Sequence, residues 1–227
     1  LNSGDGVMRV GRGLLGFRNS RATFDGREIL KPPARGRYYN FYYALGHLCF
    51  YFTDREAAEP LTRIIACKWN AEDGGVIDVS GGVTFDAKYV GATPFAWGQY
   101  GGEALTVTNQ GGVHAFDGRR WRTLLEANNK VSYQVYSFLN IFDRALLAQY
   151  PTGHLFEYRG GTELKHLDGY PPRLPGVSSR AREAQTTALY RGEMFTGVWP
   201  WAELWRYDHD ADRWSSLPLE RFCKTLA

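Results

Sequence analysis

The stretch Arg180-Ala181-Arg182-Glu183 puts two guanidinium groups and a carboxylate within four residues. Such a set can grip an anionic group by bidentate contacts and offers Glu183 as a proton donor or acceptor. Tyr39 lies in Arg35-Gly36-Arg37-Tyr38-Tyr39, Tyr133 in Val131-Ser132-Tyr133-Gln134, and Trp201 between Pro200 and Ala202. Aromatic rings of this kind stack on the C–H surface of a sugar ring, while arginines and amides satisfy its hydroxyls or carboxylates. A tyrosine base beside an arginine that neutralises a uronate is the chemistry of polysaccharide lyases. Tyr39, Tyr133 and Arg182 are of the types that chemistry needs. Glu126 and Asp54 are further carboxylates, but no two form the acid and nucleophile pair of a glycoside hydrolase. Any of the three could serve as a catalytic carboxylate, and Glu183, beside Arg180 and Arg182, is the candidate acid or base if the domain is an enzyme.

Other reactive patterns lead nowhere. Asp208-His209-Asp210-Ala211-Asp212 spaces three carboxylates like the start of a calcium loop. Its sixth position is Arg213 where Gly is needed, and its twelfth is Leu219 where Glu is needed, so a polar turn is expected. The five histidines, His47, His114, His154, His166 and His209, are scattered. Neither a metal site nor a cofactor is expected, and no G-x-S-x-G, H-E-x-x-H or P-loop occurs. Cys49, Cys67 and Cys223 are odd in number and lack metal-ligand spacing; the first two fall on apolar strands and read as buried thiols. A net charge of +3 gives no nucleic-acid footprint, although Arg outnumbers Lys 21 to 6. No apolar run is long enough to span a bilayer, so no membrane partner is expected. There is no signal peptide, and Leu1 is not an initiator Met; the chain reads as a processed or excised piece whose compartment its start does not give.

Something must bring these scattered side chains together, and a repeat does so. An aromatic residue closes a short apolar strand at Phe24, Trp69, Phe116, Tyr158 and Tyr207, at spacings of 45, 47, 42 and 49 residues. Aromatics make up 15% of the chain and Gly 26 of its residues, which suits short strands joined by tight turns. That period without helix signals indicates β-propeller blades. The expected fold is all-β: a β-propeller of four-stranded antiparallel blades in a single domain over 1–227, with repeats near 5–37, 38–93, 94–130, 131–180 and 181–227. Five such repeats make a closed five-bladed ring or a segment of a six- or seven-bladed one.

The fifth repeat is the clearest, with strands expected at Thr186 to Tyr190, Met194 to Trp199, Glu203 to Tyr207 and Trp214 to Leu217. Residues 148–158 lie over 197–207 without a gap. The third repeat places strands at Ala104 to Thr108 and Val113 to Phe116. Asp25-Gly26 and Asp117-Gly118 mark tight hairpins. Turn pairs recur before each second strand: Gly11-Arg12, Gly46-His47, Gly102-Glu103, Asp143-Arg144 and Gly192-Glu193. The second repeat is irregular, with an insertion expected over 54–63.

The run Leu204-Trp205-Arg206-Tyr207-Asp208 through Arg213-Trp214-Ser215-Ser216-Leu217-Pro218 resembles the end of a Kelch repeat. The Gly-Gly pair usual in the second strand of that family has a counterpart only at Gly111-Gly112. Asp117 to Trp121 is similar to the Asp-box turn of sialidase-type propellers, less one residue. The hairpins Tyr150-Pro151-Thr152-Gly153 and Trp199-Pro200-Trp201-Ala202 look like those of bacterial propellers that bring no activity with them. The Kelch resemblance implies a scaffold for protein partners.

In such a fold the second-to-third and blade-to-blade loops share one face. The expected binding set there is Tyr39, Tyr133, Arg180, Arg182 and Trp201, with Glu183 beside them. The first reading is recognition of a glycan or another polar or anionic ligand. A glycan-active lyase or hydrolase and a protein-interaction scaffold are the alternatives.

Overall fold

The computed structural model describes residues 6–131 and 133–217. Ser132, Pro218, Leu219 and Cys223 lie outside the described residues. Among the described residues twenty strands form five sheets. The first sheet holds β1 (Gly6–Val10), β2 (Gly13–Arg18), β3 (Arg21–Phe24) and β4 (Arg27–Leu30). The second holds β5 (Arg37–Ala44), β6 (His47–Asp54), β7 (Leu61–Lys68) and β8 (Val83–Asp86). The third holds β9 (Pro94–Tyr100), β10 (Glu103–Thr108), β11 (Val113–Phe116) and β12 (Trp121–Leu125). The fourth holds β13 (Gln134–Ile141), β14 (Arg144–Tyr150), β15 (Leu155–Tyr158) and β16 (Leu164–Leu167). The fifth holds β17 (Glu183–Tyr190), β18 (Glu193–Trp199), β19 (Glu203–Asp208) and β20 (Arg213–Ser216). Neighbours in sequence are neighbours in each sheet, and there is no helix among the described residues.

The described chain forms two compact units. The first holds the first two sheets with Gly102–Ala104 and Ala115–Arg122 of the third; the second holds the last two sheets with Phe95–Gly101 and Leu105–His114. In the first unit Leu15, Phe17 and Ile29 pack against Leu48, Phe50, Ile65 and Trp69. In the second, Ile141, Leu146, Ala148 and Leu155 pack against Ala184, Met194, Val198, Trp205 and Tyr207. Burying both faces of a short sheet requires neighbouring sheets, which is why β10 and β11 are buried almost throughout.

The fourth and fifth sheets repeat each other residue for residue. Leu139 opposes Leu146 as Ala188 opposes Phe195, and Leu146 opposes Glu157 as Phe195 opposes Arg206. Both carry a β-bulge at the same place, between Val135 and Ser137 and between Ala184 and Thr186. The bulge lets β17 begin at Glu183, three residues before the expected start at Thr186.

Four details differ from the sequence reading. The 54–63 insertion is shorter: Asp54 still pairs with Leu61, so the loop is 55–60 and the flanking residues extend a long hairpin. The glycine before β6, β10 and β18 closes its turn instead of opening it. The central pairs are Leu45-Gly46, Gly101-Gly102 and Arg191-Gly192, all at positive φ, as a type I′ hairpin turn demands. Asp143-Arg144 likewise becomes Phe142-Asp143, because Ile141 pairs with Arg144. Phe24, finally, is out of phase. Trp69, Phe116, Tyr158 and Tyr207 are buried and reach the preceding sheet, Phe116 against His47 and Tyr158 against Tyr100. Phe24 pairs with Leu15 and turns its ring to Trp69 of the following sheet. One residue of phase reverses the face because strand side chains alternate.

Candidate functional site

The bulges in β13 and β17 set Tyr136 and Gln185 outside the regular pairing and re-aim their side chains. Tyr136 stacks on Phe95, with ring centroids 5.5 Å apart and planes 21° from parallel. Its hydroxyl donates to Gln134 Oε1 at 2.7 Å. Gln185 Nε2 donates to Glu183 Oε2 at 2.7 Å. Burial, then the Glu183 carboxylate and Tyr150, push the Tyr136 phenol up to about 12. At neutral pH that hydroxyl is protonated and acts as a hydrogen-bond donor, not as a base. Phe95 and Gln185 are exposed, and Tyr136 and Glu183 are half-buried. The second unit thus presents a flat ring, a hydroxyl, two amides and a carboxylate in one array.

Of the residues expected from sequence, Glu183 sits in this array. Arg182, its neighbour in the chain, points the other way, into the interior. Its Nε and Nη2 donate to Glu203 Oε1 and Oε2 at 2.9 and 3.1 Å, Nη1 donates to the Thr152 carbonyl at 2.8 Å, and Nη2 also to the Pro172 carbonyl at 3.0 Å. Glu203 Oε2 accepts further bonds from Trp205 Nε1 and the Leu174 amide. Four hydrogen bonds to protein acceptors thus engage all three nitrogens of the Arg182 guanidinium. Tyr39 belongs to the first unit and is buried, its hydroxyl donating to the Ala92 carbonyl at 2.6 Å. Tyr133 is half-buried and packs edge-on against Phe156 and His166. Arg180 and Trp201 stand in solvent at the loop end of the fifth sheet.

Sequence reasoning missed Phe95, Tyr136 and Gln185. A signal existed for the last two: extending the gapless match upstream lays Gln134-Val135-Tyr136 over Glu183-Ala184-Gln185 and marks the shared bulge.

Other polar groups are structural. Asp208 Oδ1 accepts from the amides of Asp210 and Ala211, which makes the acidic stretch an Asx-type turn. Asp117 does the same for Arg119 and Arg120. Near Tyr133, His154 Nδ1 and His166 Nε2 lie 3.3 Å apart, and Gln149 donates to Thr152 Oγ1 at 2.6 Å. Burial, then the charges of His166 and Arg182, push His154 down to about 4. Cys49 and Cys67 are buried free thiols, and burial raises both. Among the described residues no group of three His, Cys, Asp or Glu side chains is placed to hold a metal ion, and no helix is long and apolar enough to cross a membrane.

No protein-family model and no curated protein matches the sequence. Solved structures do resemble the fold. BamB from Moraxella catarrhalis matches at a TM-score of 0.57 and 11% identity, over 92% of this chain and 62% of that one. The computationally designed Ika8 protein matches at 0.54 and 8% identity, over 93% of this chain and 60% of that one. Likeness at that identity concerns the fold: this chain is all-β, with five four-stranded antiparallel blades of a β-propeller. It spans about 60% of the length of those structures.

Proposed function

We propose that this β-propeller domain is a binding module whose second unit recognises a hydroxyl-rich ligand of the glycan type. The array of Phe95, Tyr136, Glu183 and Gln185 carries the reading. Phe95 offers an exposed ring for a pyranose face, while Glu183 and the amides take hydroxyl hydrogen bonds. Arg180 and Trp201 supply outer contacts from the loops. Tyr133 and Arg182 serve as framework within the second unit, and Tyr39 within the first. The lyase reading relies on Arg182 to neutralise substrate, and its engagement by Glu203 favours binding over that chemistry. The second reading is a protein partner docking on Trp201, 42% exposed at the hairpin tip.

A glycan array with a parallel turnover screen tests the proposal. Wild type is expected to bind a subset of glycans and to turn none over. Glu183→Gln is expected to lose about tenfold or more in affinity, the worth of a hydrogen bond to a charged group. Turnover abolished by Glu183→Gln would make the domain an enzyme. Absence of both binding and turnover in wild type would pass the case to the protein partner.

A further inference from the structure

The free face of the fifth sheet is built like a covered one. In the fourth sheet Leu139, Ile141, Leu146, Ala148, Leu155 and Leu167 form the face against which the fifth sheet packs. Ile141, Leu146, Ala148 and Leu155 are no more than 3% exposed there. The shared register maps these six onto Ala188, Tyr190, Phe195, Gly197, Leu204 and Leu217. Each counterpart is again apolar or glycine. Yet Ala188 is exposed, Tyr190 is 60% exposed, and the other four are half-exposed. A depression of about 350 Å³ lies at the loop end of this face, lined by Gly197 and Leu204 of the six together with Gln185, Thr186, Trp199 and Pro200. A Cβ on Gly197 would meet only Thr186 Cβ, at 4.0 Å. Over Gly98, by contrast, the Phe138 ring of the next sheet occupies that space.

The chemistry that covers such a face is also visible. The fifth sheet covers the fourth with Met194, Val198, Trp205 and Tyr207, all large. The matching positions of the first sheet, counted from the first hairpin turn, are Leu14, Arg18, Thr23 and Asp25. Three of these four are polar or charged, and none is aromatic, so a first sheet of this type would fill the depression poorly.

We propose that the free face of the fifth sheet is a docking surface for a further four-stranded propeller blade. That blade presents large apolar and aromatic side chains at the positions of Met194, Trp205 and Tyr207. The surface adjoins the ligand array at Gln185, which also borders the depression.

The test appends a second copy of residues 181–217 to the full 227-residue chain, so that the copy's own large residues can seat on the free face. Thermal unfolding is compared with the parent chain. The expected result is a rise in Tm of about 5 °C or more. The gain should vanish when the appended copy carries Trp205→Ala and Tyr207→Ala. An unchanged Tm would overturn the proposal. So would sedimentation showing that the parent chain is a stable dimer dissociated by Phe195→Lys, because a second copy would then be the occupant.

Discussion

Arg182 and Glu203 form an ion pair whose side chains are 1% and 0% exposed. Removing one partner from such a pair leaves a buried charge without compensation and costs about 3–5 kcal/mol. Arg182→Ala is therefore expected to lose stability of that order in urea unfolding. The double change Arg182→Met with Glu203→Leu should recover only part of it: both charges leave together, but Trp205 Nε1, the Leu174 amide and the Thr152 and Pro172 carbonyls lose these partners. A binding defect in Arg182→Ala alone would thus report folding before it reported recognition. His114 gives a second signature at this scale. It lies beside Thr123, and burial holds its imidazole down to about 4, against 6.5 ordinarily. The unfolded chain takes up that proton near pH 6.5, while the folded chain does so only near 4. This contribution is fully present above pH 6.5 and is lost as the pH falls towards 4, on the order of 3 kcal/mol in total. His154 is shifted in the same direction. A pH series of urea midpoints should show the decline, with a shallower slope in His114→Gln.

Among the elements, hairpins and third strands were the most legible. Tyr158 ends β15, is fully buried, and meets Tyr100 edge-on at 5.9 Å. Tyr158→Ala is expected to cost about 3–5 kcal/mol, the usual price of truncating a large core aromatic. An unfolding midpoint equal to wild type would remove Tyr158 from the core. Gly153 is a sharper case. It adopts φ +70°, and a Cβ there would lie 2.8 Å from Arg182 Cβ. Gly153→Ala should destabilise the fourth sheet's hairpin by more than the loss of glycine conformation alone, which a midpoint series with Gly192→Ala as reference would show. The gapless match of 148–158 to 197–207 was legible because the two sheets share one register. Turn phase was not: glycine signals that a turn is present, while the pairing of Ala44 with His47 decides which residues fill it. The direction of a side chain was harder still. Arg182 follows Arg180 and precedes Glu183 in a polar stretch, and only its acceptors on Glu203, Thr152 and Pro172 turn it inward.

For the molecule as a whole, periodicity gave the architecture because each blade is one meander that cannot bury both faces alone. A far-ultraviolet circular dichroism spectrum without helical character is expected, given twenty strands and no helix among the described residues. The ligand array was illegible for the opposite reason. Phe95, Tyr136 and Glu183 come from three different sheets, and what joins them is a pair of bulges that no composition or spacing announces. Hydrogen–deuterium exchange with and without the strongest glycan found on the array tests the central claim most directly. Protection confined to residues 94–96, 134–137 and 183–186, and absent from Glu183→Gln, is the predicted result. Protection elsewhere, with those three segments unchanged, would contradict it.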